Sequence, residues 1–277
     1  MHNAGIAALG LDWRYTAAEV HPSELRAAID GAKAMRFIGL NLTVPHKLLA
    51  MEMMDVLDDS ARQWGAVNTV RFEGCDAAGQ WQPLATLPDG VAMEIRSHGF
   101  NTDADAITRA LREDLHIEPR GARIVLLGAG GAGRVAALKL AAEGARELHL
   151  INRTTDKAQA LAAEIRHRYP AVNVSVGYPN TNVDLVLNAT SLGLKPGDGS
   201  PLDEHRFPLT QTGAVYDMIY RPAETPLLKM AAAAGCRTAN GLGMLLHQGA
   251  AALEIWSGRT APLEVMRAAL KEVVYAK

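Results

Sequence analysis

A glycine-rich run, GAGGAG at residues 128–133, constrains the fold of this chain more than any other segment. It directly follows the apolar segment ARIVLL and opens the segment AGRVAALKLAAEG, which has a helical composition. In a strand–loop–helix unit, such glycines allow a tight turn, bring the backbone close to a pyrophosphate and let the helix pack against the strand. The helix N-terminus offers free N–H groups and a positive dipole end to the phosphates. We therefore predict a dinucleotide-binding loop formed by Gly128, Gly130, Gly131, Ala132 and Gly133.

Short apolar segments that alternate with helical ones surround this loop. We predict strands at residues 122–128, 147–152, 172–177, 183–189 and 214–220. We predict helices between most of them, at residues 132–143, 154–168 and 224–234. Strands buried on both faces that alternate with helices indicate a parallel, doubly wound sheet, which is the Rossmann type of fold.

The end of the second strand of this sheet distinguishes the two nicotinamide cofactors. An NAD site usually carries Asp or Glu there, about 20 residues after the glycines, to bind the ribose 2′-hydroxyl. This chain has Asn152, Arg153 and Thr154 instead. A guanidinium binds a 2′-phosphate through charge-assisted hydrogen bonds, and the Asn and Thr side chains can add neutral ones. The segment therefore favours NADP.

The first hundred residues have a different pattern of predicted strands and helices, which indicates a separate α/β domain. Their β-prone composition predicts strands at residues 13–20, 36–44 and 66–72. Helical composition predicts helices at residues 2–9 and 47–57, and two more near the end of the chain, at about 244–256 and 262–275. Residues 73–98 contain several Gly and Pro residues, and we predict a long hairpin or surface excursion there.

The charge and cysteine content exclude several classes of protein. Lys and Arg number 28 against 30 Asp and Glu, so the formal net charge is −2. This balance lacks the basic excess that binds a nucleic-acid backbone or an anionic membrane. Cys75 and Cys236 have no spacing typical of a metal site or a disulfide framework. Because no signal-like or bilayer-spanning apolar run is readable, we predict a cytoplasmic protein that binds no metal.

Eight polar or glycine-rich segments follow one another along the chain. They are NLTVPHK (41–47), GAVNT (65–69), GFNTD (99–103), GAGGAG (128–133), NRT (152–154), NATSLG (188–193), YDMIYRPAETPLL (216–228) and NGLGMLLHQGA (240–250). In this order they resemble the shikimate dehydrogenase family over nearly the whole chain. An ordered set of this kind is much more specific than any single motif.

The resemblance implies two α/β domains facing across a cleft. The substrate domain would be residues 1–103, completed by 245–277, and the NADP-binding Rossmann domain would be residues 104–244. The implied activity is the NADP-dependent interconversion of 3-dehydroshikimate and shikimate, a step of chorismate and aromatic amino-acid biosynthesis. A length of 277 residues suits two domains of this size.

The resemblance also implies roles for individual residues. Lys47 and Asp103 match the catalytic pair of the family. The chemistry agrees, because an ammonium group can stabilise and protonate a carbonyl oxygen as hydride reduces the ketone. The substrate-binding positions of the family are matched by Thr43, Asn68, Asp103, Tyr220 and Gln248. The positions beside the nicotinamide are matched by Asn188, Thr190, Ser191, Gly241 and Met244. Taken alone, Asp103 could equally be a helix N-cap and Met244 a core residue.

The chain departs from the family pattern at its start. The family usually begins with a strand and a Ser-x-Ser-Pro motif whose serines bind the substrate carboxylate, whereas this sequence starts at Met1-His2-Asn3-Ala4. We expect that the sequence is truncated and that its carboxylate pocket lacks two hydroxyl donors. In addition, residues 73–98 are longer than the family's hairpin, and Ala104 replaces a Gly.

Two alternative functions stay open at this point. A relative that acts on quinate or on an aminated analogue would differ only in single hydroxyl or amine contacts. A nucleotide-binding paralogue that has lost catalysis would explain the missing serines, although Lys47, Asp103 and Gln248 are all present. In each case the expected partner is a small-molecule ligand, and the chain could be a monomer or a homodimer.

Overall fold

The structure is a computed structural model that describes residues 1–88, 90–92 and 94–275. The chain divides into two units. Within the described residues, the mixed-sheet unit comprises Met1–Asp103 and residues 246–275, and the parallel-sheet unit comprises Ala104–Leu245. The C-terminal helices therefore return to the first part of the chain, as predicted.

A five-stranded sheet forms the centre of the mixed-sheet unit. Its strands are β1 (Gly39–Asn41), β2 (Val56–Leu57), β3 (Thr69–Cys75), β4 (Trp81–Pro83) and β5 (Glu94–Phe100). They lie in the order β1-β3-β5-β2, with β4 beside β3. Strand β2 pairs parallel with β5, and the other pairs are antiparallel. Asn41 and Phe100 both lie opposite Thr69, so the sheet aligns the ends of β1 and β5 with the start of β3.

Short helices cover this sheet. They are α1 (His2–Ala8), α2 (Leu25–Ala34), α3 (His46–Leu49) and α4 (Asp59–Trp64). Leu25 and Ile29 of α2 share a buried cluster with Val70 and Phe72, which are alternate residues of β3. Each such side chain contributes about 1.5–3 kcal/mol when it is fully buried. One buried cluster of this unit thus lies on the α2 face of the sheet.

The parallel-sheet unit contains the remaining strands and most of the longer helices. The strands are β6 (Arg123–Leu127), β7 (Glu147–Ile151), β8 (Asn173–Val176), β9 (Leu185–Asn188), β10 (Ala214–Asp217) and β11 (Arg237–Asn240). The helices wholly or partly in this unit are α5 (Asp103–Leu115), α6 (Gly131–Ala142), α7 (Thr155–Arg168), α8 (Pro226–Ala233) and α9 (Leu242–Ser257). The last helix, α10 (Leu263–Tyr275), lies in the mixed-sheet unit. Helices α5 and α9 continue across the boundaries between the two units.

The strand order of this sheet is β11-β10-β9-β6-β7-β8, and every pair is parallel. This is the doubly wound order in which the direction of winding reverses between β6 and β9. Strands β9 and β10 are buried at every position, which explains why they are apolar up to their last residues, Asn188 and Asp217. The predicted Rossmann fold is confirmed.

Two sequence-based predictions about secondary structure were wrong, and one strand was missed. Residues 13–20 form no strand, because no neighbouring strand pairs with them among the described residues. The predicted helix at 47–57 ends in a 3-10 turn at Ala50–Glu52, and Val56–Leu57 pairs with the edge of β5 instead. Strand β11 was not predicted, since RTAN has little β propensity and is held by its pairing with β10.

The segment 73–98 is a long hairpin, as predicted. Strands β3 and β5 pair antiparallel over seven residues each, and β4 extends the sheet beside β3. Asp89 and Met93, within this hairpin, and residues 276 and 277 lie outside the described residues. No helix in the described part of the chain is both long enough and apolar enough to span a bilayer.

Candidate active site

A lysine and an aspartate meet at the edge of the mixed sheet. Lys47 lies in α3, just after β1, and Asp103 is the first residue of α5, just after β5. The Lys47 Nζ atom donates to Asp103 Oδ2 at 2.7 Å. The Lys47 side chain is 27% exposed and that of Asp103 is 10% exposed. The pair therefore combines a formed ion pair with access for a small molecule.

The carboxylate of Asp103 is held from its other side by Asn68. Asn68 Nδ2 donates to Asp103 Oδ1 and to Thr102 Oγ1, both at 2.9 Å. In return, Asn68 Oδ1 accepts from the Thr102 backbone N–H at 2.8 Å. Both carboxylate oxygens of Asp103 thus accept from side chains. The structure therefore does not have Asp103 acting only as a helix cap. The lysine–aspartate cluster consists of Lys47, Asn68, Thr102 and Asp103.

A chain of hydrogen bonds extends this cluster toward the N-terminus. Thr69 Oγ1 donates to Asn68 Oδ1 at 3.2 Å and accepts from Asn41 Nδ2 at 3.0 Å. The Tyr15 hydroxyl then donates to Asn41 Oδ1 at 3.1 Å. Neither Asn41 nor Tyr15 has a role that its sequence position predicts. Asn41 belongs to the NLTVPHK motif, whereas Tyr15 lies in residues 13–20, which were predicted to form a strand.

The ring of His2 stacks on Tyr15, with ring centroids 4.1 Å apart and an interplanar angle of 11°. Trp256 of α9 lies beside both rings, at 5.6 Å from His2 and 6.1 Å from Tyr15. Burial lowers the pKa of His2 from 6.5 to about 4. His2 is therefore a neutral side chain that packs the aromatic end of the hydrogen-bonded chain at neutral pH.

The other three predicted substrate-binding residues lie on three different segments. Thr43 is exposed after β1, and its carbonyl accepts from the His46 N–H at 2.8 Å. Gln248 is half-buried in the part of α9 that belongs to the mixed-sheet unit. Tyr220 is 38% exposed on the loop after β10, in the parallel-sheet unit. The structure thus brings Asn68 into direct contact with the lysine–aspartate pair and leaves the other three accessible.

The glycine-rich loop of the parallel-sheet unit has the backbone shape that its sequence predicts. Gly128 has a φ of 105°, which L residues with side chains rarely adopt. A Cβ atom at Gly133 would collide with the carbonyl of Gly128, so helix α6 can pack this closely only with glycine there. At Gly130 and Gly131, by contrast, a Cβ would meet no atom within 4 Å. The exposed backbone of Gly130 and Gly131, at the N-terminus of α6, fits the pyrophosphate of a dinucleotide.

The Asn-Arg-Thr segment lies directly beside this loop. Asn152 Oδ1 accepts from the Ala129 N–H at 3.0 Å, and Asn152 Nδ2 donates to the Thr154 carbonyl at 2.8 Å. Asn152 therefore braces the glycine-rich loop against the end of β7. Arg153 and Thr154 are exposed and available to a 2′-phosphate.

The loops after β9 and β10 complete the same edge of the parallel sheet. A Cβ at Gly128 would lie 2.9 Å from Thr190 Cγ2, which shows how closely the glycine-rich loop approaches the loop after β9. Asn188 is buried, and its Oδ1 accepts from the backbone N–H and the hydroxyl of Thr190, at 2.9 and 2.8 Å. Ser191 is exposed beside them.

Gly241 and Met244 stand at the start of α9. A Cβ at Gly241 would collide with the Met218 carbonyl, so only glycine fits between β11 and the loop after β10. Met244 is half-buried rather than part of the fully buried core. Both residues thus belong to the edge of the parallel sheet that carries the glycine-rich loop.

Each of the two polar regions suits one half of a reduction. The lysine–aspartate cluster can supply a proton and stabilise negative charge on an oxygen atom. The edge of the parallel sheet can bind a phosphorylated dinucleotide. Among the described residues, no group of three or more His, Cys, Asp or Glu side chains could hold a metal ion.

Comparison with known proteins relates the whole chain to one family. Residues 1–70 match the shikimate dehydrogenase substrate binding domain, and residues 111–192 match the shikimate/quinate 5-dehydrogenase family. Residues 241–271 match the shikimate 5′-dehydrogenase C-terminal domain. A shikimate dehydrogenase (NADP(+)) from Methanopyrus kandleri is 39% identical, and the match covers 98% of this chain and 89% of that protein.

Solved structures have the same fold. A shikimate dehydrogenase in complex with NADP+ is 35% identical, with a TM-score of 0.81 over 99% of this chain and 89% of that chain. The ligand-free 5-ketofructose reductase of Gluconobacter sp. strain CHM43 is also 35% identical, with a TM-score of 0.77. That likeness covers 98% of this chain and 91% of the reductase chain.

Proposed function

Because the chain belongs to the shikimate dehydrogenase family, we propose that it reduces 3-dehydroshikimate to shikimate with NADPH in a reversible reaction. The reaction would serve chorismate and aromatic amino-acid biosynthesis. The observation that carries the proposal is the Lys47–Asp103 ion pair at 2.7 Å, held in place by Asn68. This ion pair provides a positioned acid. The same chain also contains the glycine-rich loop, whose backbone fits a dinucleotide.

The residues of the mixed-sheet unit would handle the proton. NADPH, when bound, supplies the hydride to the ketone carbon. Lys47 stabilises the negative charge on the ketone oxygen and gives it a proton, which contributes roughly 10²–10⁴-fold in comparable reactions. Asp103 orients the ammonium group, and Asn68 fixes the carboxylate. In the oxidation of shikimate, the same groups take the proton back.

Other side chains of the chain would bind the substrate and cofactor. Thr43, Asn68, Asp103, Tyr220 and Gln248 would hydrogen-bond the hydroxyls and the carboxylate of the substrate, which suits their polar groups. The cofactor phosphates would lie on Gly128, Gly130, Gly131, Ala132 and Gly133, with Arg153 and Thr154 on the 2′-phosphate and Asn152 supporting the loop. Asn188, Thr190, Ser191, Gly241 and Met244 would contact the nicotinamide half. The substrate domain would be residues 1–103 with 245–277, and the NADP domain residues 104–244.

A second candidate function is the reduction of another polyhydroxylated ketone. The likeness to a 5-ketofructose reductase favours it, since that enzyme has a related fold. Quinate and aminated shikimate analogues belong to the same class of substrate. A cytoplasmic location and a monomeric or dimeric state remain predictions from the sequence.

A substrate panel tests these proposals directly. Purified protein is assayed with NADPH and 3-dehydroshikimate, 3-dehydroquinate or 5-ketofructose, and with shikimate and quinate in the presence of NADP+ or NAD+. We expect the highest kcat/KM for 3-dehydroshikimate with NADPH. A higher value for 3-dehydroquinate or 5-ketofructose would replace the substrate but keep the reaction type. Binding of NADP+ without turnover of any ketone would favour a paralogue that has lost catalysis.

A further inference from the structure

Asp217, the last residue of β10, is a carboxylate without exposed surface. Its hydrogen-bond donors are the Asn188 amide at 2.9 Å, the Ile219 N–H at 3.0 Å and the Thr225 hydroxyl at 2.7 Å. All three are neutral. Burial raises the pKa of Asp217, although these hydrogen bonds oppose the shift. Burying a charge without a cation is unfavourable, so a position that needed only packing would be better served by a neutral residue.

The three donors come from different parts of the sheet edge. Asn188 ends β9, and its other amide atom holds Thr190 in the loop that follows. Ile219 lies in the loop after β10, and Thr225 caps helix α8 by accepting from the Leu228 N–H. The Ile219 carbonyl in turn accepts from the Gly241 N–H at the end of β11. The carboxylate of Asp217 thus links the loop after β9 to the loop after β10. The loop after β10 is in turn hydrogen-bonded to the end of β11.

The strand order places these loops relative to a bound dinucleotide. The pyrophosphate would lie at the glycine-rich loop after β6, and the adenosine ribose at the end of β7, where Arg153 lies. The other half of the dinucleotide must then extend across the point where the strand order reverses, over β9 and β10. The contact of Gly128 with Thr190 and Ala189 shows that the two regions adjoin.

We propose that Asp217 is a positioning residue for the nicotinamide half of the cofactor, which it serves by fixing the loops after β9 and β10 in one arrangement. This inference rests on the proposed NADP-dependent function. It does not require Asp217 to touch the cofactor, because its effect is transmitted through Asn188, Thr190 and Ile219.

The test compares two ligands that share the adenosine half. 2′,5′-ADP contains the adenosine and the 2′-phosphate, whereas NADPH also contains the nicotinamide. In the full chain with Asp217→Asn, we expect the Kd for 2′,5′-ADP to stay within about 2-fold and the Kd for NADPH to rise about 10-fold, the effect of one lost charge-assisted hydrogen bond. The nicotinamide fluorescence of bound NADPH should also move toward that of the free cofactor. The kcat should fall about 10-fold with little change in KM for the substrate.

Two further variants separate positioning from folding. Asp184→Asn is the matched control, because Asp184 caps the Arg123 N–H at 2.7 Å at the opposite, amino end of the same sheet. Both Kd values should be unchanged in that variant. If Asp217→Asn does not fold, Thr225→Val removes the hydroxyl that donates to Asp217, together with the cap of α8, and leaves the carboxylate in place. It should weaken NADPH about 3-fold while 2′,5′-ADP binds normally.

A double exchange provides a rescue. In Asn188→Asp/Asp217→Asn, the pair keeps one carboxylate and one amide, so part of the lost NADPH affinity should return. Equal weakening of both ligands, or no weakening of either, would overturn the positioning role. If the unmodified protein binds neither ligand, the proposed function itself is wrong, and the inference with it.

Discussion

The two units use buried aspartates in opposite ways. In the mixed-sheet unit, Asp103 keeps 10% of its side chain exposed and pairs with a lysine. In the parallel-sheet unit, Asp217 has no exposure, and its donors among the described residues are neutral. A group that orients an acid beside the substrate must be reachable, whereas a group that fixes loops is best kept from water. Under the proposed function, the same residue type would orient the catalytic acid in one unit and position the cofactor in the other.

The units also differ in what presents their functional groups. The parallel-sheet unit presents main-chain N–H groups through a local loop between β6 and α6. The mixed-sheet unit presents side chains from three segments, which the alignment of β1, β3 and β5 brings together. Chemistry in the mixed-sheet unit should therefore depend on single side chains. Cofactor selection in the parallel-sheet unit should depend on few side chains. The following predictions test this division.

The largest effect is expected for Lys47→Ala. Turnover should fall roughly 10²–10⁴-fold, because the positioned acid is lost. NADP+ affinity should stay within about 2-fold, since the dinucleotide loop belongs to the other unit. Steady-state kinetics and calorimetry measure the two quantities.

Lys33→Ala is the matched control for this variant. Lys33 lies in the same unit, is 25% exposed and forms an ion pair with Asp55 at 2.7 Å, much as Lys47 does with Asp103. It should keep normal turnover. Substantial activity in Lys47→Ala would remove this lysine from the catalytic role and break the division between the units.

A smaller effect concerns acid stability and His2. The folded protein keeps His2 neutral down to a pH of about 4, whereas the unfolded chain takes up the proton near pH 6.5. Stability of the mixed-sheet unit should therefore fall as the pH falls from 6.5 to 4, by up to about 3 kcal/mol from this group. His2→Phe should reduce that dependence. Denaturant unfolding at several pH values measures it.

Tryptophan fluorescence is a suitable probe, because all four tryptophans lie in the mixed-sheet unit, namely Trp13, Trp64, Trp81 and Trp256. His205→Phe serves as the control, since His205 is exposed and lies in the parallel-sheet unit. An identical pH dependence in His2→Phe and the unmodified protein would show that His2 does not govern this loss.

The smallest of these effects is expected for Arg153→Asp. The preference for NADP over NAD should fall about 10–100-fold, because a carboxylate would repel the 2′-phosphate that the guanidinium binds. The ratio of kcat/KM for the two cofactors measures it. Arg146→Asp, at the amino end of the same strand β7, should leave the ratio unchanged. Comparable constants for NADP and NAD in the unmodified protein would contradict the assignment of Arg153.

Much of the parallel-sheet unit was predictable from local sequence. Its strands are buried on both faces, so their apolar runs stand out, and the shape of the glycine-rich loop follows from residues that adjoin in the chain. The mixed-sheet unit was less predictable. The local sequence favours a strand at residues 13–20 and a helix throughout residues 47–57, but the structure has neither. The reason is that β structure depends on neighbours that are distant in sequence.

The sequence by itself determined the order of the motifs, the doubly wound fold and the candidates Lys47, Asp103 and Arg153. Each of these depends on residue type and on spacing along the chain. Only the tertiary structure decided that Asn68 holds Asp103, that Tyr15 joins the same network through Asn41, and that Asp217 is buried among neutral donors. Hydrogen bonds and burial depend on which segments lie side by side, and that follows from the packing of the whole chain.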